Sequence, residues 1–168
     1  MAFDTHMRRG HPIVFSLIIF FSIIELAISA WLTSRFNSHR NYFSSAEQDR
    51  TRFLLFTSLW TIVGSALYMV FFFVSPSSVI TSVASHIFFL VLTWIFWTAG
   101  AASITAALGG GLNCRTQVVF VYCGQLNALE GFAWVVWILV TLAILVVIVR
   151  GIQAARRGDG MRGPLVGV

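Results

Sequence analysis

The sequence predicts an all-α membrane protein, a bundle of four transmembrane helices. The chain of 168 residues is 58% hydrophobic and 10% charged, against roughly 45–50% and about 25% in soluble domains. Long uncharged runs recur four times along it. Each run reaches the roughly 20 residues that a helix needs to cross about 30 Å of hydrocarbon at 1.5 Å per residue. A chain of this composition cannot cover itself with polar surface, so lipid is its expected solvent.

Arginines bound the first two predicted helices. The first runs from about Pro12 to Thr33 and is followed by Arg35, and the second runs from about Phe53 to Val74. Arg52 precedes the second helix, and the sequence SPSS at 75–78 predicts a turn after it. The apolar run of the first helix is longer than the 7–15 residue core of a signal peptide. We therefore expect a signal anchor that stays in the protein.

The third and fourth predicted helices complete a single domain. The third runs from about Val79 to Leu108, where GGG at 109–111 stops it, and it is long enough to tilt or to project from the bilayer. The fourth runs from about Ala128 to Val149, with Arg150 at its exit. The chain then divides into an N-terminal segment (1–11), a four-helix domain (12–150) and a short basic tail (151–168).

The two cysteines of the chain lie between the third and fourth helices, on the side opposite the termini. We expect Cys114 and Cys123 to form a disulfide, which places this short loop in an oxidising compartment and both termini in the cytosol. Free or lipid-modified thiols are the alternative. Between them, TQVVFVY (116–122) is rich in β-branched and aromatic residues, which predicts a short strand or hairpin.

Glu25 is the only charged side chain between Pro12 and Leu32. A carboxylate that faced lipid would cost about 2.5–3.5 kcal/mol on insertion scales, so we expect Glu25 to face the bundle interior. Counting equal depths along the antiparallel helices predicts an intramembrane polar cluster of Glu25 with Thr61, Ser65, Trp94, Trp97 and Thr98. Whether this acid belongs to a functional site or only makes an interhelical hydrogen bond stays open.

Small residues predict where helices pack closely. Ala99, Ser103 and Ala107 recur at four-residue spacing on the third helix, and Gly64 lies on the second. Such ridges let helix backbones approach one another in lipid, where the hydrophobic effect does not drive association. The same ridge suits contact between subunits, and we expect a homo-oligomer.

All eleven basic residues are arginines, and the formal net charge is +5. They lie at the membrane boundaries and form no basic helical face, so nucleic acid is not an expected partner. Contact with anionic lipid headgroups is the preferred interpretation, and a plain topology signal is the alternative. The predicted headgroup contacts are Arg35, Arg52, Arg150, Arg156 and Arg157.

No motif in the chain predicts catalysis. The four histidines lack metal-ligand spacing, the cysteines lack redox CxxC spacing, and no glycine-rich phosphate loop precedes a helix. We therefore predict no catalytic residue, metal or cofactor.

The four spans and short termini resemble the MARVEL-domain membrane proteins of fungi over about residues 10–150. The motifs that carry the resemblance are FLLFTSLWTI (53–62), WTAGAASITAALGGGLNC (97–114) and the spacing of Cys123, Ala128 and Phe132. The resemblance implies a MARVEL-like bundle with cytosolic termini, association with membrane microdomains or sterol-rich sites, and no catalytic residues.

We therefore expect a non-enzymatic protein of the plasma membrane. Its expected work is to organise membrane microdomains through self-association and through contacts with membrane lipids, sterol among them. The alternative is a small lipid-active enzyme or carrier with Glu25 in an intramembrane pocket.

Overall fold

The computed structural model describes residues 2–74 and 83–156, and these are helical apart from two connections. The helices are α1 (Ala2–His39), α2 (Ser45–Val74), α3 (Val83–Leu108) and α4 (Cys123–Arg156). Each contains a segment long and apolar enough to cross a membrane: Pro12–His39, Ser45–Phe71, Ala84–Leu108 and Cys123–Ile152. The predicted fold class is confirmed, and the chain is an integral, multi-pass membrane protein.

The four helices form a ring in which each one packs against two neighbours. Helices α1 and α3 both contact α2 and α4. Because a short turn joins α1 to α2, these two helices run antiparallel, as in an up-and-down bundle. The interior of the bundle is therefore lined by one seam from each helix.

Buried residues on α1 and α4 follow alternating spacings of three and four. The α1 seam consists of Phe15, Ile18, Ser22, Glu25, Ser29, Leu32 and Phe36, and the α4 seam of Leu126, Leu129, Ala133, Val136, Val140, Ala143, Val147 and Arg150. A mean spacing of 3.5 residues keeps one seam facing its neighbours in helices that cross at about 20°. The middle of the α1 seam is polar, whereas the matching part of α4 is aliphatic.

The helices extend past most of their predicted ends. Helix α1 continues through Arg35 to His39, α2 begins at Ser45 before the predicted Phe53, and α4 extends the predicted fourth helix at both ends. The predictions placed each end where hydropathy falls, but charged residues are adequate helix formers in water. The predicted SPSS turn and the start of the third helix near Val79 lie outside the described residues.

Local hydrogen bonds cap α2 and α3. At the start of α2, the Ser44 hydroxyl accepts the N–H of Glu47 (3.3 Å) and the Glu47 carboxyl accepts the N–H of Phe43 (2.7 Å), an arrangement close to a capping box. At the end of α3, Gly109 has a φ of 72° and the N–H of Gly110 donates to the Thr105 carbonyl (3.1 Å). This Schellman ending requires a residue that tolerates positive φ, which confirms that the glycine run stops the helix.

The loop between α3 and α4 is closed by the predicted disulfide, but it contains no strand among its residues 109–122. Cys114 and Cys123 are bonded, with their Cα atoms 5.7 Å apart. The prediction of a strand or hairpin at 116–122 is wrong, because the Gln117 side chain binds the backbone locally. Its Oε1 accepts the N–H groups of Val119 (2.9 Å) and Phe120 (2.8 Å), and such local bonds compete with a strand ladder.

Candidate functional site

Glu25 lies in the middle of the α1 seam and faces the bundle interior, as the sequence predicts. Its side chain is 0% exposed, and neither carboxyl oxygen has a hydrogen-bond partner within the described residues. The hydroxyls of Ser22, one turn earlier on α1, and of Thr57 on α2 are also buried without a partner there. Unpaired buried polar atoms are rare in folded proteins, so the middle of the α1 seam is a candidate site.

The predicted partners of Glu25 are engaged elsewhere. The Trp97 indole donates to the Thr61 hydroxyl (2.9 Å), and that hydroxyl donates to the Thr57 carbonyl (2.7 Å). Ser65 is buried, while Trp94 and Thr98 bond to α4. The predicted polar cluster is thus inside the bundle, but its hydrogen bonds do not reach the acid. Depth alone predicted the cluster, and depth does not fix the direction of a side chain around its helix axis.

Five tryptophan indoles donate to threonine hydroxyls across helix interfaces. The donor and acceptor pairs, with their Nε1 to Oγ1 distances, are Trp60 and Thr93 (3.1 Å), Trp97 and Thr61 (2.9 Å), Trp94 and Thr141 (3.0 Å), Trp137 and Thr98 (2.8 Å), and Trp134 and Thr105 (3.0 Å). An indole N–H in hydrocarbon has no water to bind, so a threonine on the facing helix satisfies it. These pairs were not predicted from the sequence.

Two of the pairs form a reciprocal contact that we name the tryptophan clamp: Trp94 and Thr98 of α3 with Trp137 and Thr141 of α4. Each threonine accepts the indole of the other helix and donates to the carbonyl of the tryptophan on its own helix (2.7 and 2.8 Å). The two indole ring centroids are 5.9 Å apart. The signal was present in the sequence, because WxxxT occurs at the same spacing on both antiparallel helices.

An apolar groove of about 480 Å³ lies between α2 and α3 on the outside of the bundle. We name it the aromatic groove, and it is lined by Phe56, Leu59, Trp60, Val63, Gly64, Leu67, Tyr68, Phe88 and Phe89. The polar atoms of its wall are used inside the protein: the Trp60 indole binds Thr93, and the Tyr68 hydroxyl binds the Ser85 carbonyl (3.0 Å). The groove therefore offers its occupant hydrocarbon contacts.

Gly64 and Gly100 let α2 and α3 approach closely. A side chain at Gly64 would collide with the ring of Phe89, and a Cβ at Gly100 would lie 2.6 Å from the Leu54 side chain. The predicted packing role of Gly64 is thus supported by a close contact. Gly100 was missed, although it follows the predicted residue Ala99 directly.

The predicted small ridge on α3 is mostly outside the bundle. Ala99 is exposed, and Ser103 and Ala107 are half-buried. Ala99 does not pack within the chain, because the inward seam of α3 runs through Trp97, Ala101, Ile104 and Leu108; contact of this ridge with a second subunit stays a prediction. Spacing identified a ridge of small residues but not the side of the helix that faces its neighbours.

Two of the predicted headgroup arginines lie exposed at the end of the bundle near the α1–α2 turn. The Arg35 guanidinium lies 5.3 Å from the Trp31 ring centre, a cation–π distance. Arg52 donates to the Asn37 side chain (2.8 Å) and lies 3.7 Å from the Asp49 carboxylate. Both remain candidates for headgroup contact.

At the other end of the bundle, Arg150 is the predicted headgroup arginine whose side chain the structure describes. Arg150 is only 6% exposed, unlike Arg35 and Arg52, and its predicted headgroup contact stays a prediction. Position 150 continues the buried α4 seam one step beyond Val147, which explains its burial. The side chain of Arg156, and Arg157 altogether, lie outside the described residues.

Comparisons with family models, curated proteins and solved structures find no match to this chain. Within the described part of the chain, no group of three or more His, Cys, Asp or Glu side chains is placed to hold a metal ion. Functional inference therefore depends on the two sites described above, the buried acid on α1 and the aromatic groove between α2 and α3.

Proposed function

We propose that this chain is a non-enzymatic membrane protein that organises its surroundings through lipid contacts and self-association. The observation that carries this proposal is the aromatic groove. It lies on the outside of two candidate membrane spans, and the indole and phenol groups of its wall are bonded inside the protein. Such a surface suits a hydrocarbon occupant.

The occupant that we propose is the apolar part of a membrane lipid. Exposed residues on the rim, such as Phe56, Leu67 and Phe88, open the groove sideways into the bilayer. Its volume of about 480 Å³ is in the range of ligand sites, roughly 300–1,000 Å³. A rigid sterol ring and a phospholipid chain share the required chemistry, so the experiment compares them.

Self-association is the second part of the proposal. Ala99, Ala102 and Ala106 are exposed on the outward side of α3, and small residues permit close approach of a helix from a second copy. A MARVEL-like protein of the plasma membrane with cytosolic termini fits both parts, and we include this class and orientation in the proposal.

The experiment uses photoactivatable lipids with the protein in native nanodiscs. A photoactivatable sterol and a phospholipid with a photoactivatable chain are crosslinked separately to the wild type and to two variants. Leu67→Trp fills the groove from its rim, and Leu142→Trp adds the same ring to an α4 position of similar exposure, 50% against 52%. We expect Leu67→Trp to lose crosslinking several-fold and Leu142→Trp to keep it.

Equal crosslinking in the two variants would contradict a lipid site in the groove. The identity of the lost adduct distinguishes sterol from phospholipid chain. Mass measurement of the same nanodiscs reports the number of copies, and a strictly monomeric protein would contradict the self-association part.

A second candidate function rests on the buried acid. Glu25 brings to the bundle interior two carboxyl oxygens that have no partner among the described residues, beside the Ser22 hydroxyl, which also has none there. A small lipid-active enzyme or carrier would use such a group to bind a polar ligand or to transfer a proton. Glu25→Gln separates the two functions, since a proton-transfer group loses turnover while the fold and the lipid adducts persist.

A further inference from the structure

The disulfide-closed loop presents a compact set of exposed apolar side chains. Val118 is 95% exposed, Val119 50% and Val121 64%, and Phe43 from the α1–α2 turn is 68% exposed. Phe43 and Phe120 hold the turn and the loop together, with their ring centroids 5.6 Å apart. We name Phe43, Val118, Val119 and Val121 the loop-tip patch.

The loop-tip patch is fixed in its outward position. The disulfide closes the loop at Cys114 and Cys123, and Gln117 binds the backbone of Val119 and Phe120. The Asn127 side chain of α4 bonds both the N–H and the carbonyl of Leu112 (2.8 Å each). These constraints oppose folding of the valines back onto the bundle, so their exposure is built into the loop.

Contacts with α1 place the patch near the membrane boundary. The Tyr122 ring packs against Trp31 at 5.0 Å, and its hydroxyl accepts from Asn41 (2.9 Å). Trp31 and Leu32 end the apolar run of α1, before the polar segment that begins at Thr33. Tyr122 also lies 5.9 Å from the Phe36 ring, so the loop covers α1 from the end of its apolar run to the start of the turn, the level where headgroups are expected.

The charge around the patch complements a phospholipid surface. The α1–α2 turn (40–44) contains Arg40 and the loop (109–122) contains Arg115, both exposed. The carboxyl of Glu47, which accepts the N–H of Phe43, is only 3% exposed, so basic groups dominate the exposed charge of these two segments. Basic residues beside exposed apolar side chains are the combination that binds at an interface, with the apolar groups about 5–10 Å into the headgroup and acyl boundary. A protein partner is not required to cover the patch.

We propose that the loop-tip patch inserts into the lipid interface of the membrane that the bundle spans. The valines enter the boundary between headgroups and acyl chains, Phe43 packs beside them on Phe120, and Arg40 and Arg115 face the phosphates. The loop is then an interfacial anchor that holds the start of α4, at Cys123, against the bilayer. This inference does not depend on the function proposed for the aromatic groove.

The experiment places an environment-sensitive fluorophore at the tip. Both native cysteines are in the disulfide, so Val118→Cys supplies the only reactive thiol. The labelled protein is studied in nanodiscs of phosphatidylcholine and phosphatidylserine, with a lipid nitroxide quencher near the headgroup or with aqueous iodide. We expect several-fold stronger quenching by the nitroxide than by iodide. Ser38→Cys, at an exposed position at the end of α1, should show the opposite preference.

Reduction of the disulfide supplies a second readout, because a released loop should lose part of its nitroxide quenching. Val119→Cys repeats the measurement if Val118→Cys perturbs the fold. Two results would overturn the proposal. Iodide quenching equal to that of Ser38→Cys means that the patch lies in water, and protection from both quenchers means that protein, such as a second copy, covers it.

Discussion

Glu25 shows at the scale of a single residue what the sequence determines. Its inward direction follows from the cost of a carboxylate in lipid, and the structure buries it completely. Its lack of hydrogen-bond partners does not follow from the sequence, because Trp97 and Thr98 are equally able to donate. The Trp97 indole donates to Thr61 of α2 and the Thr98 hydroxyl donates to the Trp94 carbonyl of its own helix, and these choices depend on helix rotation.

The first prediction concerns the stability contributed at this position. Because both carboxyl oxygens are buried with no partner in the described part of the chain, Glu25→Leu should raise the free energy of unfolding by about 1–3 kcal/mol. Glu25→Gln should change it by less, and Thr61→Val should lower it because Trp97 loses its acceptor. Thermal unfolding in nanodiscs provides the measurement. A large loss of stability in Glu25→Leu would show that the acid has a bound partner, which favours the ligand-site alternative.

At the scale of helices and loops, hydropathy predicted the spans and missed their ends. Helix α2 begins with a Ser44–Glu47 capping arrangement that the SxxE spacing indicates, well before the apolar run starts. The loop sequence 116–122 has strand-forming residues, yet one glutamine organises it into turns. Hydrogen bonds between side chains and the nearby backbone therefore set the start of α2 against the hydropathy pattern, and the shape of the loop against its β propensity.

The tryptophan clamp gives a second prediction, on the α3–α4 interface. Trp137→Phe removes one indole donor and should cost about 0.6–1.5 kcal/mol. Thr98→Val should cost more, because it leaves the Trp137 N–H buried without an acceptor. The double variant should cost less than the sum of the two. Trp31→Phe, at a 38% exposed position on α1, serves as the control. Additive losses measured by reversible unfolding would show that the clamp does not couple the helices.

For the whole molecule, four apolar runs were enough to predict four spans, but not which face of each helix points inward. All four helices expose large aliphatic or aromatic side chains on their outer faces, such as Phe20, Leu67, Ile95 and Leu142. Apolar residues therefore lie on both sides of each helix, and the usual amphipathic signal disappears. This is why the aromatic groove and the exposed position of Ala99 were found only in the structure.

Membrane-side accessibility of single introduced cysteines tests the four-span bundle most directly. Ser38 and Gln125 lie at the end of the bundle formed by the α1–α2 turn and the disulfide loop, and Ala84 lies at the other end, near the start of α3; all three are exposed. With the native pair locked in its disulfide, an impermeant maleimide reports each introduced thiol in intact cells. The account predicts labelling of Ser38→Cys and Gln125→Cys in intact cells, and of Ala84→Cys only after permeabilisation. Equal labelling of all three variants in intact cells would contradict four crossings.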